Sequence, residues 1–379
     1  MKAVIGAHFH WSSFLHIGSH QYAKQFARHG YKVAYISEPI SPLHFLFAKD
    51  RKILKEKSRY WYGGGKQVER GKIWAYVPYT FLPVYNKPLL RSKYAIKNSH
   101  RFMLPSLKKM LKKNDFEQAD IIFLDEPFGH FLDLISHKTS ILRIHDDIRY
   151  LHHEGQENFL AAAEKVAKKV DLVIVVSKAL ELQMKGMGIK KVLFLTNGAD
   201  FEHFFYGSDI IPEEYGNIPS PRVIYIGSLD YWFDSEIVEY AAKKLPAVSF
   251  ILIGKPKIDI SKLTSLSNVY ALGARNYSML PPYLKNSNAG IIPFRSIKLV
   301  ESISPNKLYE YMACGLPVVS THWEELEHIG SPALLALNQE EFVESIKKAL
   351  NEKNETKYVD FARMNSWNHR FEELLRTIQ

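Results

Sequence analysis

Residues 304–321 read SPNKLYEYMACGLPVVST, and the fold of the chain can be worked out from this stretch. Ser304 is a helix-capping residue type and Pro305 is preorganised for a first helical turn, so the N–H groups that follow need an acceptor. Asn306 and Lys307 fall inside that turn. A cation there is unfavourable beside the positive end of the helix unless a negative ligand offsets it, and a diphosphate would do so. Glu310, three residues on, can accept hydrogen bonds from vicinal ribose hydroxyls or pair with Lys307. Gly315 ends the helix, and Pro317 starts a buried strand.

The alternation of helix and buried strand extends outward. In the second half, strands are expected at 223–228, 248–254, 268–273, 289–294 and 317–321, with helices near 234–244, 279–287, 305–313 and 339–350. In the first half, short apolar runs occur at 3–8, 31–37, 121–125, 141–146, 171–177 and 191–198. Between them, residues 19–29 put Tyr22, Ala23, Phe26 and Ala27 on one helical face and stop at Gly30, and 155–169 does the same with Phe159, Ala162, Ala163 and Val166. This rhythm implies parallel sheets covered on both faces. It breaks over 40–115, where a hairpin around Gly63, Gly64 and Gly65 and basic helices are expected. The turn-forming stretch 206–222 reads as a linker. The expected fold is therefore α/β with two doubly wound, Rossmann-like domains, 1–205 and 223–362, and a C-terminal helix over 363–379 returning to the first. Ligands of such sheets bind beyond the carboxyl ends of the strands, and two facing domains would leave a central cleft.

Composition narrows the class. A chain of 379 residues with 46% hydrophobic content is long enough for two cores. Cys314 is the only cysteine, which excludes an internal disulfide and any multi-thiolate zinc cage. No run of eighteen apolar residues occurs and MKAVIGAHFHW reads as a strand rather than a signal peptide, so a cytoplasmic location is expected. The net charge of +10 is uneven: residues 49–113 alone hold 18 basic and 3 acidic side chains, interleaved with aromatic and aliphatic ones. That mixture suits the anionic inner face of a cell membrane, where each Lys or Arg adds about 1 kcal/mol and apolar groups dip into the interface. A solvated basic face over core aromatics is the plainer alternative. No nucleic-acid reading module accompanies the charge.

Several residues carry possible chemistry. Asp146, at a strand end, is placed to act as a general base toward an acceptor hydroxyl, with Asp147 the neighbouring substitute; both could equally cap the next segment. The loop 8–21 holds His8, His10, His16 and His20, but without acidic or thiolate ligands a metal is not expected. Gly18 and Ser19 open the next helix and could contact a substrate whose hydroxyl His20 orients; a structural histidine is as good a reading.

SPNKLYEYMACGLPVVS, together with GSLDYWFD (227–234), RIHDD (143–147) and TNGADFEHF (196–204), resembles the bacterial GT-B glycosyltransferases, and the resemblance covers nearly the whole chain in order. Within them it is similar to the retaining family 4 and to the inverting glucuronosyltransferase of xanthan assembly. The resemblance implies a nucleotide-diphosphate sugar as substrate, with no cofactor. It implies that Gly227 and Ser228 turn tightly against the diphosphate, that Lys307 is its charge partner, and that Glu310 orients the donor or binds its ribose. Ser304 and Asn306 belong to the same helix start, and Gly273, Ala274 and Arg275 would line the base. Asp146 matches the base of the xanthan-type enzymes and His145 the histidine that family 4 places near the donor sugar. Two departures stand out: acidic and aromatic DYWFD replaces the usual arginine and lysine after strand 223–228, and eight residues separate Glu301 from Glu310 where seven are common. The implied activity is metal-independent transfer of a hexosyl or glucuronosyl group, expected to come from a UDP-sugar, to a glycan or lipid-linked acceptor in cell-surface polysaccharide synthesis. A nucleotide-sugar 2-epimerase and a non-catalytic scaffold subunit are the alternatives on the same fold.

Overall fold

The computed structural model describes residues 1–13, 16–47, 51–84, 89–90, 92–125, 127, 129–150 and 156–378. Residues 49, 50, 85–88 and 91 of the basic segment, 14 and 15 of the histidine loop, 155 of the expected 155–169 helix, the Phe159 side chain and Gln379 lie outside the described residues. The chain divides into two compact units, Met1–Leu195 with the residues from Thr377 on, and Thr196–Arg376.

In the first unit eight strands are described: β1 Lys2–Ala7, β2 Lys32–Ser37, β3 Lys66–Val68, β4 Ile73–Tyr76, β5 Gln118–Leu124, β6 Ser136–Ile144, β7 Leu172–Val175 and β8 Val192–Phe194. Their order is β3-β4-β2-β1-β5-β6-β7-β8, parallel except for the β3–β4 pair. The central strands are unbroken runs of buried residues (Val4, Ile5, Ile122, Phe123, Val173, Ile174), as a sheet covered on both faces requires. Helix Gly18–Arg28 and helix Leu107–Lys113 are among its covers.

The hairpin expected at Gly63–Gly65 is displaced. Those glycines turn the end of helix Arg51–Tyr62 into β3, and the hairpin turn is Glu69–Gly71, between β3 and β4. The reason is Trp74: its indole Nε1 donates to the Gly64 carbonyl at 3.0 Å and seats the glycine turn against β4.

The second unit holds β9 Arg222–Ile226, β10 Ser249–Ile253, β11 Val269–Ala271, β12 Ala289–Ile292, β13 Val318–Thr321 and β14 Leu334–Ala336, all parallel, in the order β11-β10-β9-β12-β13-β14. Each unit is thus a doubly wound α/β domain on a parallel sheet, as expected. The expected strands correspond to β9–β13; β14 is additional, because LLA is too short to show a period.

The join also differs from the expected linker. Residues 206–222 are part of the second unit, and the division falls between Leu195 and Thr196. Tyr215 and Ile218 are buried in its core, and the Arg222 guanidinium donates to the carbonyls of Ile218, Asn286 and Tyr215. Turn-forming residues there mark an anchored loop. The helix expected over 363–379 is Trp367–Ile378; helix Thr356–Met364 precedes it, and both belong to the second unit as far as Arg376. No described helix is long and apolar enough to cross a membrane.

Candidate functional site

In the second unit, the carboxyl ends of β9, β10 and β11 turn on Gly227, Gly254 and Gly273. Gly227 N–H donates to the Ile253 carbonyl (2.9 Å) and Gly254 N–H to that of Gly273 (3.1 Å). A Cβ on Gly254 would stand 1.8 Å from the Gly227 carbonyl oxygen, so only glycine lets these ends stack. Tyr225 Oη donates to the Ser228 carbonyl at 2.8 Å and fixes the turn. The Ser228 hydroxyl is left buried with no hydrogen-bond partner.

Helix Asn306–Ala313 meets this turn. Its apolar face, Leu308, Tyr309, Tyr311 and Met312, is fully buried. The Tyr311 hydroxyl accepts from Ile226 N–H at 2.6 Å, pegging the helix to the last residue of β9, and Gly290 clears the space for its ring. The helix closes as a Schellman motif, with Gly315 N–H on the Met312 carbonyl and Leu316 N–H on that of Tyr311, and Gly315 at φ +79°.

Its start departs from the expected capping. Pro305, extended at φ −79° and ψ 121°, occupies the cap position, and no side chain caps the helix. The Ser304 hydroxyl instead faces Tyr309 Oη at 3.5 Å, while the Ser304 carbonyl accepts from Asn197 Nδ2 at 2.7 Å. The N-terminal N–H groups are thus left without a side-chain acceptor, the condition under which a helix start receives an anion.

The polar groups at this helix start lack partners. Asn306 Oδ1 is buried and unsatisfied. Lys307 makes no hydrogen bond or ion pair among the described residues; its ammonium sits over the rings of Phe294 (4.5 Å to the centroid) and Tyr225 (5.3 Å). A Cβ on Gly227 would come within 3.3 Å of Lys307 Cε, which places the ammonium stem directly against the Gly227 turn. Loss of water lowers the Lys307 pKa to about 8, with Glu310 opposing. Burial likewise raises the Glu310 carboxyl to about 7 against the pull of Lys307, with Asp200 adding repulsion. No Lys307–Glu310 ion pair within 4 Å is formed among the described residues, so the plain surface-pair reading fails.

One other expectation changes. Arg275 is engaged within the protein: its guanidinium reaches Glu214 (2.7 Å), Tyr283 Oη (3.0 Å) and the Leu272 carbonyl. It therefore holds the loop of Gly273 and exposed Ala274 in place, and its charge is already answered. Glu301 pairs with Lys298 at 3.0 Å at the surface.

In the first unit, chemistry gathers at the ends of β5 and β6. Asp125, which the sequence reading did not single out, is buried; it accepts from Arg143 Nη1 at 2.6 Å and from Ser19 N–H at 3.1 Å. Burial alone would raise its pKa, but Arg143 foremost, His145 and Ser19 outweigh it and hold the carboxyl below its ordinary value. His145 lies between two carboxylates, Nδ1 3.8 Å from Asp125 and Nε2 3.6 Å from Asp146. Asp146 keeps 40% of its side chain accessible, yet lost solvation, then repulsion from Asp125 and Asp147, raises its pKa against His145 and Arg143. Asp147 is buried, bidentate to Arg149 and capping the Ile148–Tyr150 turn, so of the pair only Asp146 is open to a substrate.

Gly18, Ser19 and His20 are buried among protein groups. Gly18 leaves room for the Arg143 guanidinium, 2.6 Å from where a Cβ would be, and the Ser19 hydroxyl meets Tyr35 Oη at 3.3 Å. His20 contacts the His10 carbonyl at 3.2 Å, and burial pushes its pKa down to about 3, which keeps it neutral. The other loop histidines also have protein contacts: His8 pairs with Glu38, and His16 stacks on His20.

Comparison with known proteins follows the same division. Residues 4–176 match the N-terminal domain of glucuronosyltransferase GumK, and residues 220–352 match glycosyl transferases group 1. A putative teichuronic acid biosynthesis glycosyltransferase, TuaH of Bacillus subtilis (strain 168), is 23% identical over 202 residues, 50% of this chain and 51% of that one. The chain thus spans about half the length of that curated relative. Among solved structures, sucrose-phosphate synthase from Thermosynechococcus elongatus superposes with a TM-score of 0.68 at 15% identity, covering 100% of this chain and 99% of that one. Anabaena HepE, in complex with UDP and glucose, gives 0.64 at 17% identity with both chains covered 100%. With both sheets in this fold and its two regions matched in order to these two domain families, the chain belongs to the GT-B glycosyltransferases.

Proposed function

We propose that this protein transfers a sugar from a nucleotide-diphosphate donor to an acceptor of cell-surface polysaccharide synthesis, without a metal ion or cofactor. The observation that carries the reading is the Lys307 ammonium: desolvated, without an anionic partner among the described residues, and beside both the Gly227–Ser228 turn and an uncapped helix start. A diphosphate satisfies all three at once. Glu310 and the unsatisfied Ser228 and Asn306 groups then hydrogen-bond the rest of the donor. The UDP in the HepE complex and the name of the B. subtilis relative support the donor and pathway class.

On the acceptor side, Asp146 takes the proton of the attacking hydroxyl as its oxygen bonds the anomeric carbon. The bond from that carbon to the diphosphate breaks, and the electron pair leaves on the diphosphate, stabilised by Lys307 and the helix N–H groups. A carboxyl pKa raised by lost solvation makes Asp146 a stronger base than an ordinary aspartate. His145 orients it. The acceptor is a glycan or lipid-linked glycan, and the first unit works at an anionic membrane surface: its basic segment exposes Tyr62, Leu89, Tyr94 and Phe102.

The test is a panel of UDP-sugars with excess chelator, following UDP release with and without acceptor membranes. Release by the wild type and none by Asp146→Asn that still binds UDP supports the reading. Conversion of a UDP-sugar to its epimer without UDP release would replace it with the epimerase alternative, and no nucleotide binding would replace it with a scaffold.

A further inference from the structure

The first unit contains a second cationic site, to which the basic segment gives four cations. A cavity of about 920 Å³ is bounded by helices Lys93–Asn98, Leu107–Lys113, His130–Leu134 and Gln156–Ala167 and by the Ser99–Phe102 turn. That volume is in the range of small-molecule sites. Six cations ring it: Lys93, Lys97, Arg101, Lys108, Lys165 and Lys169. None has an ion-pair or hydrogen-bonding side-chain partner among the described residues, and Asp133 is the one described acidic residue of the lining. By contrast Lys168, just past the end of the last of these helices, is paired with Glu164 at 2.6 Å.

The lining has two further properties. Ile96, Leu107, Leu134 and Val166 give it an apolar side. His100 stacks on His130 with ring centroids 4.9 Å apart, and its Nδ1 is buried with no hydrogen-bond partner. Unanswered positive charge, an unsatisfied imidazole nitrogen and an apolar wall together fit a ligand that is strongly anionic at one end and hydrocarbon at the other.

We propose that this cavity binds a phosphate-bearing lipid, with its phosphates among the six cations and the first part of its chain along the apolar side. This deepens the acceptor assignment and rests on it for the lipid's role as carrier of the acceptor; the binding itself depends on residues of the first unit alone. It differs from attraction to a charged bilayer in being stoichiometric and saturable.

The experiment is calorimetric titration of the full-length protein, in chelator, with farnesyl diphosphate, inorganic diphosphate and farnesol. Farnesyl diphosphate should bind one to one, at least about tenfold tighter than either fragment, because both ends of the site contribute. A Lys97→Ala, Arg101→Ala, Lys165→Ala triple variant, altered only at exposed positions, should lose about a hundredfold of that affinity while binding UDP as the wild type does. Equal affinity for inorganic diphosphate would mean a plain anion site and overturn the proposal. So would unchanged lipid affinity in the triple variant, or binding seen only with phosphatidylglycerol vesicles. Loss of UDP binding with lipid binding intact would instead sink the donor reading and leave this one standing.

Discussion

Two buried cations, one in each unit, are treated in opposite ways. Arg143 is enclosed with Asp125, which in turn holds Ser19 at the start of helix Gly18–Arg28. Lys307 is desolvated over two aromatic rings, with no anion within ion-pair distance among the described residues. Burying a charge is costly unless it is paired, so the first arrangement is a finished piece of structure and the second is finished only by a ligand. The contrast separates residues that hold the fold from residues that wait for substrate, although both lie at the carboxyl ends of parallel strands.

The largest effect should come from breaking the finished pair. Arg143→Met leaves the Asp125 carboxylate buried and uncompensated, and urea unfolding should show a loss of about 3–5 kcal/mol. Lys307→Met should behave oppositely: stability equal to or above the wild type, and UDP affinity down about a hundredfold by calorimetry in chelator, the size of a lost charged contact. If both variants were merely unstable, the distinction between the two cations would fail.

A pH series sharpens the comparison. Folding lowers the Lys307 pKa to about 8, so the cost of its charge is complete below that pH and fades as pH rises toward the ordinary lysine value. Folding raises Glu310 to about 7, so its cost is absent below about 4.5, grows as pH rises, and is complete above about 7. Unliganded protein therefore carries both costs between these two values, and the gain of Lys307→Met over the wild type in thermal melts should be full below about 8 and shrink as pH rises toward the ordinary lysine value. UDP needs the charged lysine. Its affinity should fall by on the order of tenfold per pH unit above about 8 in the wild type and stay flat in Lys307→Met.

The smallest effect tests the unsatisfied hydroxyl. Ser228→Ala should change stability by less than about 0.5 kcal/mol, since no protein hydrogen bond is lost, and raise the donor KM by about threefold.

The same contrast explains what could be read from the sequence. The buried strands were legible because both faces are covered, which writes them as short unbroken apolar runs such as IIFL and LVIV. Lys307 was legible because a lysine in the first turn of a helix is an electrostatic misfit that only a ligand explains. Asp125 and Arg143 were not: an acid ending one strand and an arginine inside another look ordinary until the parallel register of β5 and β6 brings them together. Ser19 and His20 carried suggestive side chains, but the helix they open turns them toward Tyr35, and Gly18 before them makes room for Arg143. Arg275 looked available because sequence does not show Glu214, 61 residues away, reaching its guanidinium. Ser304 failed as a cap because an extended Pro305 took that position. Residues 206–222 misled because turn-forming composition is shared by linkers and by loops tied down through one arginine, here Arg222.

The central claim is that Lys307 is the vacant counter-ion of a diphosphate, and its own titration tests this most directly. The Lys307 Nζ resonance, assigned by its absence in Lys307→Met, can be followed against pH with and without UDP in a chelating buffer. The account predicts a pKa of about 8 in the unliganded protein, rising by about two units when the diphosphate binds. Saturation with UDP that leaves the titration unmoved would contradict it.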